Sequence, residues 1–266
     1  MTQHHQFPQT LDTEGYILNP CHPDQIAPEF RPLVRALCEQ LQARFAELHS
    51  VYLYGSVPRG DAKVARSDLD VCLVFDIPQA ELPQVCLQTL QSLAMSLIKK
   101  YPVVTKVDFD PGILGQVLMS REHYRWHFWL KHCCCCIWGE DLALQFVRHR
   151  PHPAIAAAFA EDLKSQWQTL STDLTPENSG LKGRTLAKKL IRTAYGQIAV
   201  QDQSWYHQLD FCVQAVLCHA PQYRDLIIAA FALAQDPAPD FKAVLRFVQD
   251  YAEPVQMLIQ HVEEAS

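Results

Sequence analysis

The spacing of apolar residues changes along the chain. Apolar positions recur every three or four residues over 28–50 and 78–100, which predicts amphipathic helices. Short apolar runs bounded by Gly, Pro and Ser predict strands over 51–54, 68–75 and 101–110. Beyond Gly115 the pattern is helical almost to the end, with helices predicted over 116–137, 153–171, 183–200, 204–219, 222–235 and 240–263.

This order of elements predicts an α+β fold. Residues 28–110 run helix, strand, strand, helix, strand, which is typical of a mixed β-sheet with flanking helices, and an all-α helical bundle is expected to follow. The segment at Pro151 and the stretch 171–180 are the expected breaks in the helical part. We therefore predict two domains, 1–150 with the sheet and 151–266 with the bundle.

Composition narrows the class of protein. The chain has 266 residues, 48% of them hydrophobic and 20% charged, so it can bury a substantial core. Its 23 Lys and Arg residues are outnumbered by 29 Asp and Glu, giving a formal charge of -6. A dedicated nucleic-acid binder needs a basic surface, so the charge argues against that class. No apolar stretch is long enough to span a membrane, and we expect no membrane partner.

The cysteines point to a reducing compartment. Four of the ten form one run, Cys133 to Cys136, and most of the others lie in apolar segments, where a thiol behaves as a small hydrophobe. The first residues are polar and lack the pattern of a signal peptide. We therefore predict a cytoplasmic location, where thiols stay reduced.

The candidate chemistry lies around the first two predicted strands. Gly55 and Ser56 follow the first strand at a turn, where close backbone approach and a hydroxyl donor suit phosphate oxygens. Asp68 and Asp70 are two residues apart on the second strand, so both carboxylates project from one face. Two like charges at this distance repel each other and favour a cation between them, and Mg²⁺ suits such oxygen ligands.

A third acid is expected from the next strand. Asp108 can complete the site if that strand pairs beside the second one. Asp110 lies two residues further along and faces the same side, so it is the alternative third acid.

This joint pattern resembles the nucleotidyltransferase superfamily related to DNA polymerase β, whose signature is an apolar strand, Gly-Ser, a spacer and Asp-x-Asp, with a later carboxylate. Within that superfamily the chain looks like the aminoglycoside adenylyltransferases of the spectinomycin and streptomycin type. The resemblance is carried by Leu53-Tyr54-Gly55-Ser56, by Ser67-Asp68-Leu69-Asp70, and in the helical part by Leu190-Ile191-Arg192-Thr193-Ala194-Tyr195.

The resemblance implies roles for these residues. Gly55 and Ser56 would contact the triphosphate of ATP, the nucleotide donor. Asp68, Asp70 and Asp108 would hold Mg²⁺ and form the catalytic set, with Asp108 as metal ligand or general base. Arg192 would reach the phosphates from the helical domain. The family usually has Glu at the position of the third acid, where this chain has Asp.

The reaction implied is transfer of AMP to a hydroxyl of a small acceptor, aminoglycoside-like or other, with release of pyrophosphate. GTP or CTP as donor stays open. Relatives in that family read a cationic drug with a Trp and acidic residues, whereas the stretch 175–184 of this chain has no Trp and ends basic. Two alternatives therefore remain: adenylylation of a protein target, and a non-catalytic, antitoxin-like partner protein built on the same fold.

A second metal site is a weaker alternative. If 116–137 is one helix, His132 and Cys136 share a face, with Cys133 next to Cys136. Imidazole and thiolate groups in that arrangement can bind a metal ion. The competing interpretation is a buried helix of small apolar side chains.

Overall fold

The computed structural model describes residues 7–236 and 238–264. The chain divides into two compact units. One is Leu18–Arg148, and the other joins the described residues of Met1–Ile17 to those of His149–Ser266. The sequence-based division at residue 150 assigns the N-terminal arm to the first domain, whereas the contacts group the arm with the helices.

The Leu18–Arg148 unit is built on a four-stranded sheet of order β3-β2-β1-β4. Strand β1 pairs antiparallel with β2 and β4, and β2 pairs parallel with β3. The strands are β1 (Leu48–Tyr54), β2 (Leu69–Phe75), β3 (Val107–Ile113) and β4 (Cys134–Gly139), and the helices are α1 (Arg31–Arg44), α2 (Gln84–Lys100), α3 (Leu114–Val117) and α4 (Phe128–Cys133). This mixed sheet with helices confirms the predicted α+β class.

Alternation along the strands creates two buried faces. Leu53 of β1 and Val71 and Leu73 of β2 point to the face that packs against apolar residues of α1 and α2, including Leu37 and Leu93. The helices α1 and α2 form where apolar residues recur at helical spacing. This core holds β1 and β2 rigidly in register.

The opposite face carries a smaller core and the polar residues. Tyr52, Cys72 and Cys134 pack there against Val117 and Leu130 from the short helices α3 and α4. Further along the same face of β2 and β3, alternation reaches Asp70 and the aspartates of β3. The acidic residues therefore lie at the edge of a packed core.

The prediction of one helix over 116–137 is wrong. The segment forms α3, a 3₁₀ turn, one π-helical turn at His123–His127, α4, and then the edge strand β4. Cys134, Cys135 and Cys136 pair with Tyr54, Leu53 and Tyr52 of β1. A short apolar run has no periodicity that separates strand from helix, and pairing with β1 decided the outcome.

The strand also removes the arrangement on which a His132 and Cys133–Cys136 metal site depended. In β4 successive cysteines point to opposite faces, so Cys134 and Cys136 lie in one core and Cys135 in the other. Burial raises the pKa of Cys135 to about 12 and that of Cys136 to about 11, with weaker contributions from nearby acidic groups. These thiols are core residues.

The second unit is helical. Its helices are α5 (Pro153–Ala160), α6 (Leu163–Thr172), α7 (Pro176–Asp202), α8 (Leu209–His219), α9 (Arg224–Gln235), α10 (Phe241–Asp250) and α11 (Ala252–Glu264). Two predicted helices, 153–171 and 240–263, are each divided in two. The central helix α7 begins seven residues before the predicted start at 183, because Thr175 and Asn178 form a capping box.

The described part of the N-terminal arm packs within this helical unit. The backbone N–H of Ile17 donates to the carbonyl of His149 at 2.9 Å, and the N–H of Trp205 donates to the Thr10 hydroxyl at 2.8 Å. Among the residues that the structure describes, no helix combines the length and apolar character needed to cross a membrane.

Candidate active site

The turn after β1 places a glycine against a carboxylate. Gly55 has a φ of +77°, and a Cβ built on it would lie 2.9 Å from Cγ of Asp70. The preceding residue, Tyr54, is the Cα partner of Asp70 in the β1–β2 ladder. Glycine is needed here both for the left-handed backbone and for the space that the Asp70 side chain fills.

Ser56 begins a compact loop. The N–H of Asp61 donates to the Ser56 carbonyl at 3.0 Å, and the N–H of Gly60 donates to the Val57 carbonyl at 3.2 Å. The Arg59 guanidinium pairs with Asp61 at 3.1 Å. These local bonds set the shape of the loop that follows Gly55.

Parallel pairing brings the predicted third acid to the first two. Asp70 and Asp108 are Cα partners in the β2–β3 ladder, so their carboxylates project side by side from one face. Asp68, directly before β2, and Asp110, two residues beyond Asp108, belong to the same face. We refer to Asp68, Asp70, Asp108 and Asp110 as the acidic cluster.

Three members of the acidic cluster have a side-chain partner in the protein. The Thr105 hydroxyl donates to Asp68, and the Lys106 ammonium forms an ion pair with Asp108. The Tyr54 hydroxyl donates to Asp110. Sequence reasoning did not identify Thr105, Lys106 or Tyr54. A Lys two residues before the third acid was the one readable signal, because alternation places the two on the same side of an extended chain.

Burial and mutual repulsion dominate the electrostatics of the cluster. Burial, the largest cause, and the negative charges of Asp68, Asp108 and Asp110 together raise the pKa of Asp70 to about 6, and Arg59 opposes them. Burial also raises the pKa of Asp110, against the lowering effect of the Tyr54 hydrogen bond. The hydrogen bond to Asp108 is the largest cause that raises the pKa of Lys106. Negative charge in this cluster therefore needs cationic compensation.

Aromatic side chains border the cluster. The rings of Tyr54 and Trp129 meet edge to face with centroids 5.0 Å apart, and Trp129 lies 5.3 Å from Trp126. A Cβ at Gly112 would lie 2.7 Å from Cζ2 of Trp126, so glycine lets this ring pack onto β3. The hydroxyl of Tyr54 is thereby held on Asp110, because the aromatic packing fixes its ring.

The cluster fits a divalent cation by donor type and by charge. Carboxylate oxygens are the ligands that Mg²⁺ prefers, and the repulsion on Asp70 is the kind a bound cation relieves. In the present side-chain arrangement, no three His, Cys, Asp or Glu groups among the described residues surround one point as metal ligands. The carboxylates of Asp68, Asp108 and Asp110 are instead turned toward Thr105, Lys106 and Tyr54 respectively.

The other predicted phosphate-binding residue belongs to the helical unit. Arg192 is exposed on α7, and its role toward a nucleotide stays a prediction. Lys189, a lysine on the same helix, pairs with Asp162. The structure therefore brings together the sequence-predicted residues of the sheet unit: Gly55, Ser56, Asp68, Asp70 and Asp108.

Comparisons with known proteins agree with this geometry. Residues 34–114, which contain β1, β2 and β3, match the family model described as a nucleotidyltransferase domain. In fold, the chain is similar to spectinomycin adenyltransferase AAD(9) from Enterococcus faecialis, solved with ATP and spectinomycin, at 14% identity and a TM-score of 0.52. The match covers 85% of this chain and 99% of that chain. No curated protein is significantly similar to this chain.

Proposed function

We propose that this chain, a transferase that carries a nucleotidyltransferase domain, moves AMP from ATP to a hydroxyl of a small acceptor in a Mg²⁺-dependent reaction. The observation that carries the proposal is the acidic cluster, with Asp70 packed against the Gly55 turn and paired in register with Asp108. Phosphoryl-transfer enzymes work mainly by positioning and charge neutralisation, and this site offers both.

The Gly55–Ser56 turn is the proposed phosphate site. Gly55, with its positive φ, lets the turn pass directly against Asp70, and the Ser56 hydroxyl is a donor for a phosphate oxygen. Arg192 is proposed as a further phosphate ligand from α7.

Asp68, Asp70 and Asp108 are the proposed metal-binding and catalytic residues. A divalent cation bound by these residues would supply positive charge to the phosphates and to the leaving pyrophosphate. The acceptor hydroxyl attacks the α-phosphorus and loses its proton, while the bond from that phosphorus to the bridging oxygen breaks. Asp108 is the group proposed to accept the proton.

The choice of Asp108 over Asp110 rests on pairing and on partners. Asp108 is in register with Asp70, whereas Asp110 is in register with Cys72, two pairs further from the turn. Asp110 is also engaged by the Tyr54 hydroxyl. We assign Asp110 the role of holding Tyr54 and the strand end in place.

The donor and acceptor are proposed from chemistry and from the fold relative. That protein was solved with ATP and spectinomycin, which supports ATP as donor and a small hydroxylated molecule as acceptor. The aromatic and acidic border formed by Tyr54, Trp129 and Asp110 suits a polar molecule with hydroxyl and amino groups. A cytoplasmic location, where ATP is abundant, is part of this proposal.

The test is transfer from ATP labelled at the α-phosphate to a panel of aminoglycosides and other hydroxylated small molecules, with GTP and CTP run as competing donors. Asp70→Asn is expected to lower transfer by about 100-fold or more, because the cation loses a ligand. The matched control is Asp76→Asn, an exposed aspartate just past β2, which should retain activity.

One result would change the proposed acceptor, and another would contradict the proposed catalytic role. Label appearing in a protein band of a lysate, and in no small molecule, would identify a protein hydroxyl as the acceptor. Equal turnover by wild type and Asp70→Asn, or full activity in EDTA, would contradict a catalytic role for the acidic cluster.

A further inference from the structure

Lys106 holds one of the proposed metal ligands. It lies directly before β3, and its ammonium group pairs with Oδ1 of Asp108, the Cα partner of Asp70. The Lys106 side chain is 58% exposed, so little packing ties it to this position. Its positive charge acts on Asp68 and Asp70 as well as on Asp108.

The three partners of the acidic cluster differ in what a cation would do to them. Thr105 and Tyr54 are neutral hydroxyls, and each can keep its bond to one carboxylate oxygen while the other oxygen binds a metal ion. Lys106 is a cation, and a divalent ion on the same carboxylate would repel it at close range. Lys106 is therefore the partner that must give way.

We propose that Lys106 is a built-in counter-ion that neutralises the acidic cluster in the metal-free protein and is displaced from Asp108 when the divalent cation binds. This inference rests on the proposed function, which assigns the cation to Asp68, Asp70 and Asp108. The exposed side chain of Lys106 can move into solvent at a small cost in free energy. Lys106 thereby offsets part of the repulsion among the four adjacent carboxylates without a permanent block of the site.

The consequence is that Lys106 competes with the metal. Removing its charge leaves the cluster more negative and frees Asp108, so Mg²⁺ and Mn²⁺ should bind more tightly when nucleotide is absent. We expect about threefold to tenfold tighter binding in Lys106→Met, since the pair is close but partly screened by solvent.

The experiment measures cation binding directly, without nucleotide and without turnover. Mn²⁺ binding is followed by electron paramagnetic resonance and Mg²⁺ binding by calorimetry, for the full chain, for four lysine variants and for Asp70→Asn. Lys106→Met removes the charge, Lys106→Arg retains it, and Lys99→Met removes an exposed lysine from the last turn of α2 as the matched control. Lys106→Gln repeats the first change with a polar side chain.

The expected result is tighter binding in Lys106→Met and Lys106→Gln, with wild-type affinity in Lys106→Arg and Lys99→Met. Wild-type or weaker affinity in both neutral variants would overturn the inference while leaving the proposed function intact. If neither the wild type nor any variant binds a cation, the proposed function fails and the inference fails with it. Loss of binding in Asp70→Asn shows that the titrated site is the acidic cluster.

Discussion

The carboxylate of Asp70 fills the space in which a side chain at Gly55 would stand. Gly55 is in the left-handed region at φ +77°, and Cγ of Asp70 would lie 2.9 Å from a Cβ there. The proposed phosphate turn and the proposed metal ligand are thus in direct contact. A substitution at either residue is therefore expected to shift the position of the other.

Gly55→Ala should damage stability and activity together. The alanine adopts a strained backbone and its Cβ displaces Asp70, so we expect the free energy of unfolding to fall by about 1 to 3 kcal/mol. Urea unfolding and α-labelled transfer assays measure the two effects. Gly115→Ala is the control, because a Cβ there would meet no atom within 4 Å apart from its chain neighbours and the backbone of its own helix. Equal stability of both variants would contradict the packing of Asp70 on Gly55.

The pH dependence of stability should report the cost of ionising Asp70 in the folded protein. Its pKa is raised from 3.8 to about 6 in the folded protein, so ionisation costs the folded state more than the unfolded state. In EDTA, the wild type should lose about 2 to 3 kcal/mol relative to Asp70→Asn as the pH rises from about 4 to above 6, and the difference should then stay constant. Denaturant unfolding across this pH range measures the difference in unfolding free energy between the two proteins. A difference that stays constant with pH would contradict the raised pKa.

Asp108 and Asp110 should respond very differently to amide substitution. Asp108→Asn removes the proposed base and metal ligand, so transfer should fall by about 100-fold or more. Asp110→Asn keeps an oxygen that accepts from Tyr54, so transfer should fall by less than about tenfold. Steady-state kinetics distinguish the two, and the reverse order would make Asp110 the third acid. Tyr54→Phe and Asp110→Ala each remove the hydrogen bond between these two residues, so their effects should be similar, and the double variant should add little to either.

The cysteine run should behave as core and not as a metal site. Cys134 is buried between β1 and α4, and a serine there places a hydroxyl in apolar surroundings, so Cys134→Ser should cost about 1 to 3 kcal/mol of unfolding free energy. Cys218→Ser, at an exposed cysteine on α8, should cost little. Thermal melts measure both. If a metal chelator lowered the melting temperature of the wild type as much as Cys134→Ser does, the result would indicate a metal ion bound at this run of cysteines.

Much of the sheet unit is readable from sequence because its signals are local. Period-two runs at β1 and β2 and helical spacing at α1 and α2 depend on residues close in the chain, and the Gly55–Ser56 turn is coded by the residues that form it. The two aspartates Asp68 and Asp70 share a face by strand geometry alone.

The position of β4 and the partners of the acidic cluster were decided by tertiary structure. The apolar run Cys133–Cys136 fits a helix or a strand equally well, and hydrogen bonding to the free edge of β1 selects the strand. The contacts of Asp68 with Thr105 and of Asp110 with Tyr54 join residues 37 and 56 positions apart. They form only when β3 pairs with β2.

The amino-acid sequence by itself determined the α+β class, the glycine turn and the identity of the acids, since each follows from local periodicity or residue chemistry. Only the tertiary structure decided that Asp108 stands beside Asp70, because that relation comes from the parallel register of two strands separated by a helix. The tertiary structure likewise decided that Lys106 pairs with Asp108, where its positive charge offsets the repulsion among the carboxylates.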